Sequence, residues 1–433
     1  MSPDTLKSVR RSFGIAGAII MCAIGIKQTA QIGLGRALTA AGSIGSLDRA
    51  IRISPYDPQG YKERARLRLA RGEYELAIAD LRQANRLRTD DYESWIMLGQ
   101  SLDHTGDTTR ALSAMLEARR LAPGYVSVNW LTGTVLLKAG RRDEAFKEFR
   151  AAASRQPTLF SQTIQLAWES YGKDATAVEK AVSPVNLRER IALTEFFLRN
   201  GDAAAATVLI KDRSGLTGDD RRQLTKAFFN AQAFSEAFEM WSESTGERDS
   251  DRSGGVVYDG GFENGRFTGD STFDWSFNHT TATKALYDQS EKRSGNYSLR
   301  LDWTGNKSSN QDVLTQVLIV DPQTRYQLNF AVKTLNLVTI AAPNITVYEV
   351  GKEDRRLARS APLPAGTSNW EAHSVQFTTT EATRAVRVAL RLEDCPQESC
   401  AIVGSLWLDD FSLQVLRNQD TLLPRGATNS SSK

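Results

Sequence analysis

The sequence predicts a multidomain chain, α followed by all-β: an apolar N-terminal membrane helix, a helical repeat array, then an antiparallel β-sandwich. Three observations carry this. One set of small residues and glycines recurs every 34 positions from Pro58 to Pro157. Helical periodicity stops near Glu243, and short alternating runs replace it as far as Leu416. The stretch Phe13 to Ile26 carries no charged side chain. At roughly 100–200 residues per domain, the length allows two or three domains. The expected divisions are an N-terminal segment at 1–45, a helical array at 46–244, a linker at 245–255, a β-sandwich at 256–416 and a disordered tail at 417–433.

The N-terminal segment is expected to hold the chain at a membrane. Lys7, Arg10 and Arg11 precede the apolar run and Lys27 ends it. The run is short of the about 20 residues a spanning helix needs, and suits the hydrophobic region of a signal peptide. A helix from Ser12 to about Leu34 reaches spanning length if Lys27 and Gln28 lie near the interface. The expectation is an uncleaved signal-anchor, with a cleaved signal peptide and a buried helix as the alternatives. The basic residues before the run put the bulk of the chain on the periplasmic or extracellular side.

Composition narrows the function classes. The 54 basic and 51 acidic side chains leave a net charge of +3, with no electrostatic footprint for nucleic acid. Three cysteines are present. Cys395 and Cys400 bracket a short loop with no C-x-x-C pair or histidine beside it, which argues against zinc. A local disulfide between them fits an oxidising compartment, and two free thiols are the alternative.

The repeat has a mechanical logic. Tyr61, Trp95 and Asn129 share the 34-residue spacing, and so do Ala65, Gly99 and Gly133. Gly72, Gly106 and Gly140 follow, then Ala77, Ala111 and Ala145. Small residues at Ala65, Gly99 and Gly133 let one helix approach its neighbour, and Ala77, Ala111 and Ala145 sit where the second helix crosses the first. Glycine suits the left-handed turn that ends the first helix of each pair. Leu81, Met115 and Phe149 fill the groove between helices, and Pro123 and Pro157 stop the second helix. On these residues the stretch resembles the tetratricopeptide repeat family, with Leu47 to Pro55 as an upstream half-repeat. Weaker echoes continue through Leu193, Phe197, Gly201 and Ala206, and again at Phe228, Phe234, Ala237 and Trp241. The resemblance implies a curved solenoid whose concave face binds a protein partner. A pure spacer is the alternative.

The second half reads as seven or more strands: Ser298 to Trp303, Val313 to Val320, Tyr326 to Thr334, Asn344 to Glu349, Glu371 to Thr378, Arg384 to Leu392 and Ser405 to Leu416. No helix separates them, which points to a sandwich or jelly roll. The segment opens on Asp259-Gly260-Gly261-Phe262-Glu263 and closes on Leu406-Trp407-Leu408-Asp409-Asp410-Phe411-Ser412-Leu413. In that order it resembles the galactose-binding-like jelly rolls, including many carbohydrate-binding modules. The resemblance implies binding of a polysaccharide or glycan. It also implies a structural calcium joining the two ends, with Glu263 and Asp410 as ligands and Asp409 a weaker match. Turn-capping carboxylates are the alternative. Sugar binding needs exposed aromatic platforms, and Trp275, Tyr287, Trp303 and Trp370 are the candidates, with core packing the competing role for each tryptophan. Asn-x-Ser/Thr triplets begin at Asn278, Asn296, Asn306, Asn344 and Asn429, and chance in a Ser/Thr-rich segment accounts for them.

No catalytic constellation is visible. His104, His279 and His373 lack a serine elbow or a metal-spaced partner, and no phosphate-binding glycine loop follows a strand. The expected protein is a non-catalytic, membrane-anchored envelope protein that binds a protein partner and a polysaccharide; the combination resembles accessory proteins of bacterial exopolysaccharide assembly, which implies a role beside export. The rival readings are a purely protein-binding scaffold and a glycan-active hydrolase. The hydrolase would need two carboxylates about 5–10 Å apart in a cleft.

Overall fold

The computed structural model describes residues 33–245, 256–265, 272–278, 282–308, 312–351, 355–392 and 399–416, with scattered positions between 21 and 31. They group into two compact units that divide between Leu193 and Thr194. The linker expected at 245–255 and the tail at 417–433 lie almost wholly outside the described residues, as does most of the apolar run Phe13 to Ile26. Among the described residues, no helix is long and apolar enough to cross a membrane.

The first unit is built of antiparallel helix pairs: α1 (Ile44–Ile53), α2 (Pro58–Ala70), α3 (Tyr74–Leu87), α4 (Tyr92–His104), α5 (Thr108–Leu121), α6 (Val126–Lys138), α7 (Arg142–Arg155), α8 (Phe160–Ser170) and α9 (Ala175–Val182). Local sequence sets each boundary. Asp57 accepts the backbone N–H of Gln59 and stands before Pro58 at the first helical position. Asp91 and Asp107 cap α4 and α5 in the same way. Gly72, Gly106 and Gly140 end the first helix of each pair at φ +74°, +81° and +76°. Ala65, Ala77, Ala111 and Ala145 have no exposed surface. A Cβ on Gly133 would come within 2.7 Å of the Phe149 ring, and one on Gly99 within 2.9 Å of Met115. The period therefore encodes helix–helix distance.

One repeat departs from this plan. Arg64 and Arg68 stand where the later units have Leu98 and Leu102, then Thr132 and Leu136. Both guanidinium groups meet the buried Asp80, and Arg64 also reaches Asp48 at 2.7 Å. An ion-pair cluster replaces the apolar seam of the following repeats.

Helix α10 (Leu187–Arg199) spans the division. The second unit continues with α11 (Ala203–Leu209), α12 (Gly218–Asn230) and α13 (Phe234–Thr245). Its last two helices join the β part through aromatic rings: Phe229 and Phe238 pack on Phe273 at 5.8 and 5.3 Å, and Trp241 lies edge-on to Tyr258 at 4.7 Å.

Among the described residues ten strands follow: β1 (Ser276–Phe277), β2 (Thr283–Asp288), β3 (Ser298–Ser308), β4 (Asp312–Ile319), β5 (Arg325–Thr339), β6 (Pro343–Glu349), β7 (Arg355–Arg359), β8 (Gly366–Thr378), β9 (Ala385–Leu392) and β10 (Ser399–Val415). They form two antiparallel sheets of five, ordered β1-β4-β9-β6-β7 and β2-β3-β10-β5-β8. Strand alternation sends Leu299, Leu301, Leu328, Phe330, Leu406 and Leu408 of one sheet and Ile345, Val347, Val386, Val388 and Leu390 of the other into one shared core.

Candidate functional site

Strand alternation also decides where the tryptophans go. Trp303 shares its face with Leu299 and Leu301 and is 2% exposed. Trp275 is 3% exposed, packs against Phe262 and Phe411, and donates its indole N–H to the Asp259 carbonyl. Both rings belong to the core, which corrects their candidacy as exposed stacking platforms. Tyr287 is half-buried against the same core, and burial pushes its hydroxyl pKa up. Trp370 is half-buried on β8.

The carboxylates at the two ends of the β part converge on one loop. Glu263 accepts the backbone N–H groups of Asn296 and Tyr297 and the Asn296 side-chain amide. The buried Asp409 accepts the N–H groups of Arg293 and Ser294, and Asp410 takes the Ser294 hydroxyl and faces Arg293 at 3.4 Å. Burial raises the Glu263 pKa, but the N–H groups of Asn296 and Tyr297 outweigh it and hold the carboxyl below its ordinary range. Burial dominates at Asp409 and raises it. These hard oxygens are the donor type calcium takes. Among the described residues, however, no group of three His, Cys, Asp or Glu side chains could hold a metal ion. An ion here would draw its remaining ligands from backbone carbonyls. The sequence-predicted disulfide falls outside the described residues, since neither Cys395 nor the side chain of Cys400 is described.

The outer face of the sheet β1-β4-β9-β6-β7 gathers chemistry that no single stretch of sequence announces. Core-facing Val386, Val388, Leu390 and Leu392 leave Arg387, Ala389 and Arg391 on the opposite side of β9. Strand pairing then sets three rows. Arg356, Tyr348, Arg387 and Val317 stand side by side in one. The next holds Arg359, Thr346, Ala389, Thr315 and Ser276. Asn344, Arg391 and Asp312 make the third. The middle row consists of small residues apart from the edge Arg359, and larger side chains from the rows on either side close over it.

These larger side chains are cross-linked. The Arg387 and Arg391 guanidinium groups stack on the Tyr348 ring, 4.9 and 5.2 Å from its centre. Arg391 also donates to the Tyr348 hydroxyl. Both arginines pair with Asp312, Arg391 at 2.7 Å. These groups cover the middle row, leaving Thr346 and Ala389 without exposed surface. Burial lowers the Arg387 pKa, and the neighbouring Arg391 charge lowers it further. The signal in the sequence is the spacing of Arg387 and Arg391 within an alternating strand, which puts both on the face away from the core.

Comparison with known proteins divides the chain in the same two parts. Residues 62–126 and 106–159 match the tetratricopeptide repeat family, and residues 254–397 match a carbohydrate binding domain family. No curated protein matches the chain. Among solved structures, MamA protein is similar at 18% identity over 45% of this chain and 98% of its own, with a TM-score of 0.32. A Pseudomonas aeruginosa PilF structure is similar at 18% identity over 47% of this chain and 98% of its own, with a TM-score of 0.30. A CBM4 structure is similar at 9% identity over 37% of this chain and 99% of its own, with a TM-score of 0.29. Likenesses this low bear on neither partner nor ligand. The chain thus carries tetratricopeptide repeats in its helical part and a carbohydrate binding domain in its β part.

Proposed function

We propose that this chain is a non-catalytic binding protein of the cell envelope, whose repeats hold a protein partner and whose β-sandwich holds a polysaccharide on the outer face of the sheet β1-β4-β9-β6-β7. The observation that carries the glycan reading is the match of residues 254–397 to a carbohydrate binding domain family. The Tyr348 ring is buried with Arg387 and Arg391 over its face, so a sugar stacks on it only once those guanidinium groups swing aside.

Membrane anchoring through the charge-free run Phe13 to Ile26 belongs to this reading, with the bulk of the chain periplasmic or extracellular and a role beside exopolysaccharide assembly or export. A structural calcium at Glu263 and Asp410 belongs to it too, tying the opening of the β part to its close. Chelation should then lower the melting temperature of the full chain, and an unchanged melting curve would remove the ion from the account.

A second reading has an observation in its favour. Trp275, Trp303 and Trp407 are all buried, which suits a sandwich that docks proteins and has no sugar site. A glycan array on the full chain separates the two: saturable binding lost in Tyr348→Ala supports the polysaccharide reading, and no binding by folded protein supports the scaffold.

A further inference from the structure

A cleft at the N-terminal edge of the repeats has no part in the functions above. Residues 33–40 are helical and meet the turn between α1 and α2 at close range. A Cβ on the buried Gly35 would come within 2.9 Å of the Ser54 hydroxyl, and that hydroxyl donates to the Gln31 carbonyl at 3.1 Å. Beside this contact lies a cleft of about 760 Å³, in the size range of small-molecule sites. Ile53, Pro55 and the Tyr56 ring give it apolar surface, and Arg36 and Arg52 line it with them. Both arginines are exposed, and among the described residues neither guanidinium group is paired. Asp57, the carboxylate of the lining, is occupied in starting α2, where it accepts the Gln59 N–H at 3.0 Å. Two open guanidinium groups offer several N–H donors to the oxygens of one phosphate.

The place of the cleft in the chain points to the source of that phosphate. Arg36 is the first charged residue after Lys27, which ends the apolar run Phe13 to Ile26. Leu34 is 55% exposed and Tyr56 85% exposed, so an aliphatic side chain and an amphipathic ring stand in water near the two cations. Tyrosine and arginine beside an apolar run are the composition of a membrane–water interface. Resting on the membrane anchoring proposed above, we propose that this cleft takes the phosphate headgroup of an anionic phospholipid, with Arg36 and Arg52 on the phosphate and Tyr56 at the level of the headgroups. The first repeat is then held against the membrane surface by a contact of its own, separate from the anchor.

The test uses the full chain on vesicles of phosphatidylcholine alone and of phosphatidylcholine mixed with phosphatidylglycerol, with inorganic phosphate as a third probe. Flotation on the neutral vesicles reads the anchor, and the rate of phenylglyoxal modification at each arginine, followed by mass spectrometry, reads the cleft. The expected result is flotation on both vesicles, with modification slowed several-fold at Arg36 and Arg52 on the anionic ones alone. Arg49, exposed on α1 outside the cleft, should react alike on both. The double variant Arg36→Gln with Arg52→Gln, changed only at exposed positions, should float on neutral vesicles as the parent does and lose the salt-sensitive gain that anionic lipid gives the parent. Equal rates at Arg36 and Arg52 on the two vesicles, or equal slowing at Arg49, would overturn the headgroup site and leave the anchor standing. Slowing by inorganic phosphate as strong as that on anionic vesicles would overturn the lipid assignment in favour of a free phosphate. Flotation on anionic vesicles alone, with both arginines slowed, would support the site and remove the anchor. No flotation on either, with both arginines reacting freely, would overturn both.

Discussion

The two outer faces of the β-sandwich carry the same ingredients, an aromatic ring between two cations, and use them oppositely. On the sheet β2-β3-β10-β5-β8, Trp407 has Arg300 at 5.0 Å and Lys333 at 5.9 Å from its ring centre. Its indole N–H is donated to Asp288 at 2.9 Å, Arg300 pairs with Asp302, and Lys333 pairs with Glu291. The ring is 2% exposed, and each cation has its own carboxylate. On the other sheet, the two cations over Tyr348 both pair with Asp312 and border a row of small side chains. The Trp407 ring is tied by its own N–H donor, whereas the Tyr348 ring is held by two guanidinium groups over its face and by the Arg391 donor to its hydroxyl. What separates the two faces is which group donates and the size of the next row, because residue types alone are nearly the same.

The largest expected effect is at the Trp407 ring. Trp407→Ala should destabilise the fold by about 3–5 kcal/mol, the range for truncating a buried aromatic, measured by denaturant unfolding. A loss below about 1 kcal/mol would mean that the ring is not holding the sheet.

Asp312→Asn removes the carboxylate with which Arg387 and Arg391 both pair, and should cost roughly 1–3 kcal/mol of stability, read by denaturant unfolding. An unchanged unfolding curve would show that these ion pairs do not hold the face together.

The smallest effect expected is in the acid limb of the stability curve. Burial raises the Asp288 pKa, but hydrogen bonds from Ser290, Trp407 and the backbone of Ser290 and Glu291 outweigh this and bring the carboxyl down to about 2. A folded-state value below the unfolded one means that Asp288 contributes stability above the unfolded pKa, and that this is lost as pH falls toward about 2. Trp407→Phe removes one of those donors, so its stability should fall less steeply than the parent's through that window. Parallel curves would show that the indole N–H does not stabilise the charged carboxylate.

Much of the fold was legible because its determinants are local. A glycine at positive φ, an aspartate before a helix and an alanine at a helix crossing act within one repeat, so Gly72, Asp91 and Ala111 can be read where they stand. The seven long strand runs were readable from alternation. β1, β2 and β7 were not, since β1 is two residues long, β2 breaks its alternation with an apolar but exposed Leu286, and the Arg355-Arg356-Leu357-Ala358-Arg359 of β7 reads as a charged loop. The site was less legible for a physical reason. Tyr348, Arg387 and Asp312 meet only through the register of three strands that are far apart in sequence. Trp303 shows the converse: its aromatic type suggests a platform, while its parity with Leu299 and Leu301 sends it inward.

The contrast between the two faces comes down to one paired measurement, glycan affinity and thermal stability of Tyr348→Ala beside Trp407→Ala in the full chain. Binding lost at least tenfold in Tyr348→Ala and retained in Trp407→Ala, each measured at temperatures where the variant is folded, is the result this account predicts. Binding retained in Tyr348→Ala and lost in folded Trp407→Ala would place the glycan on the other sheet and contradict it.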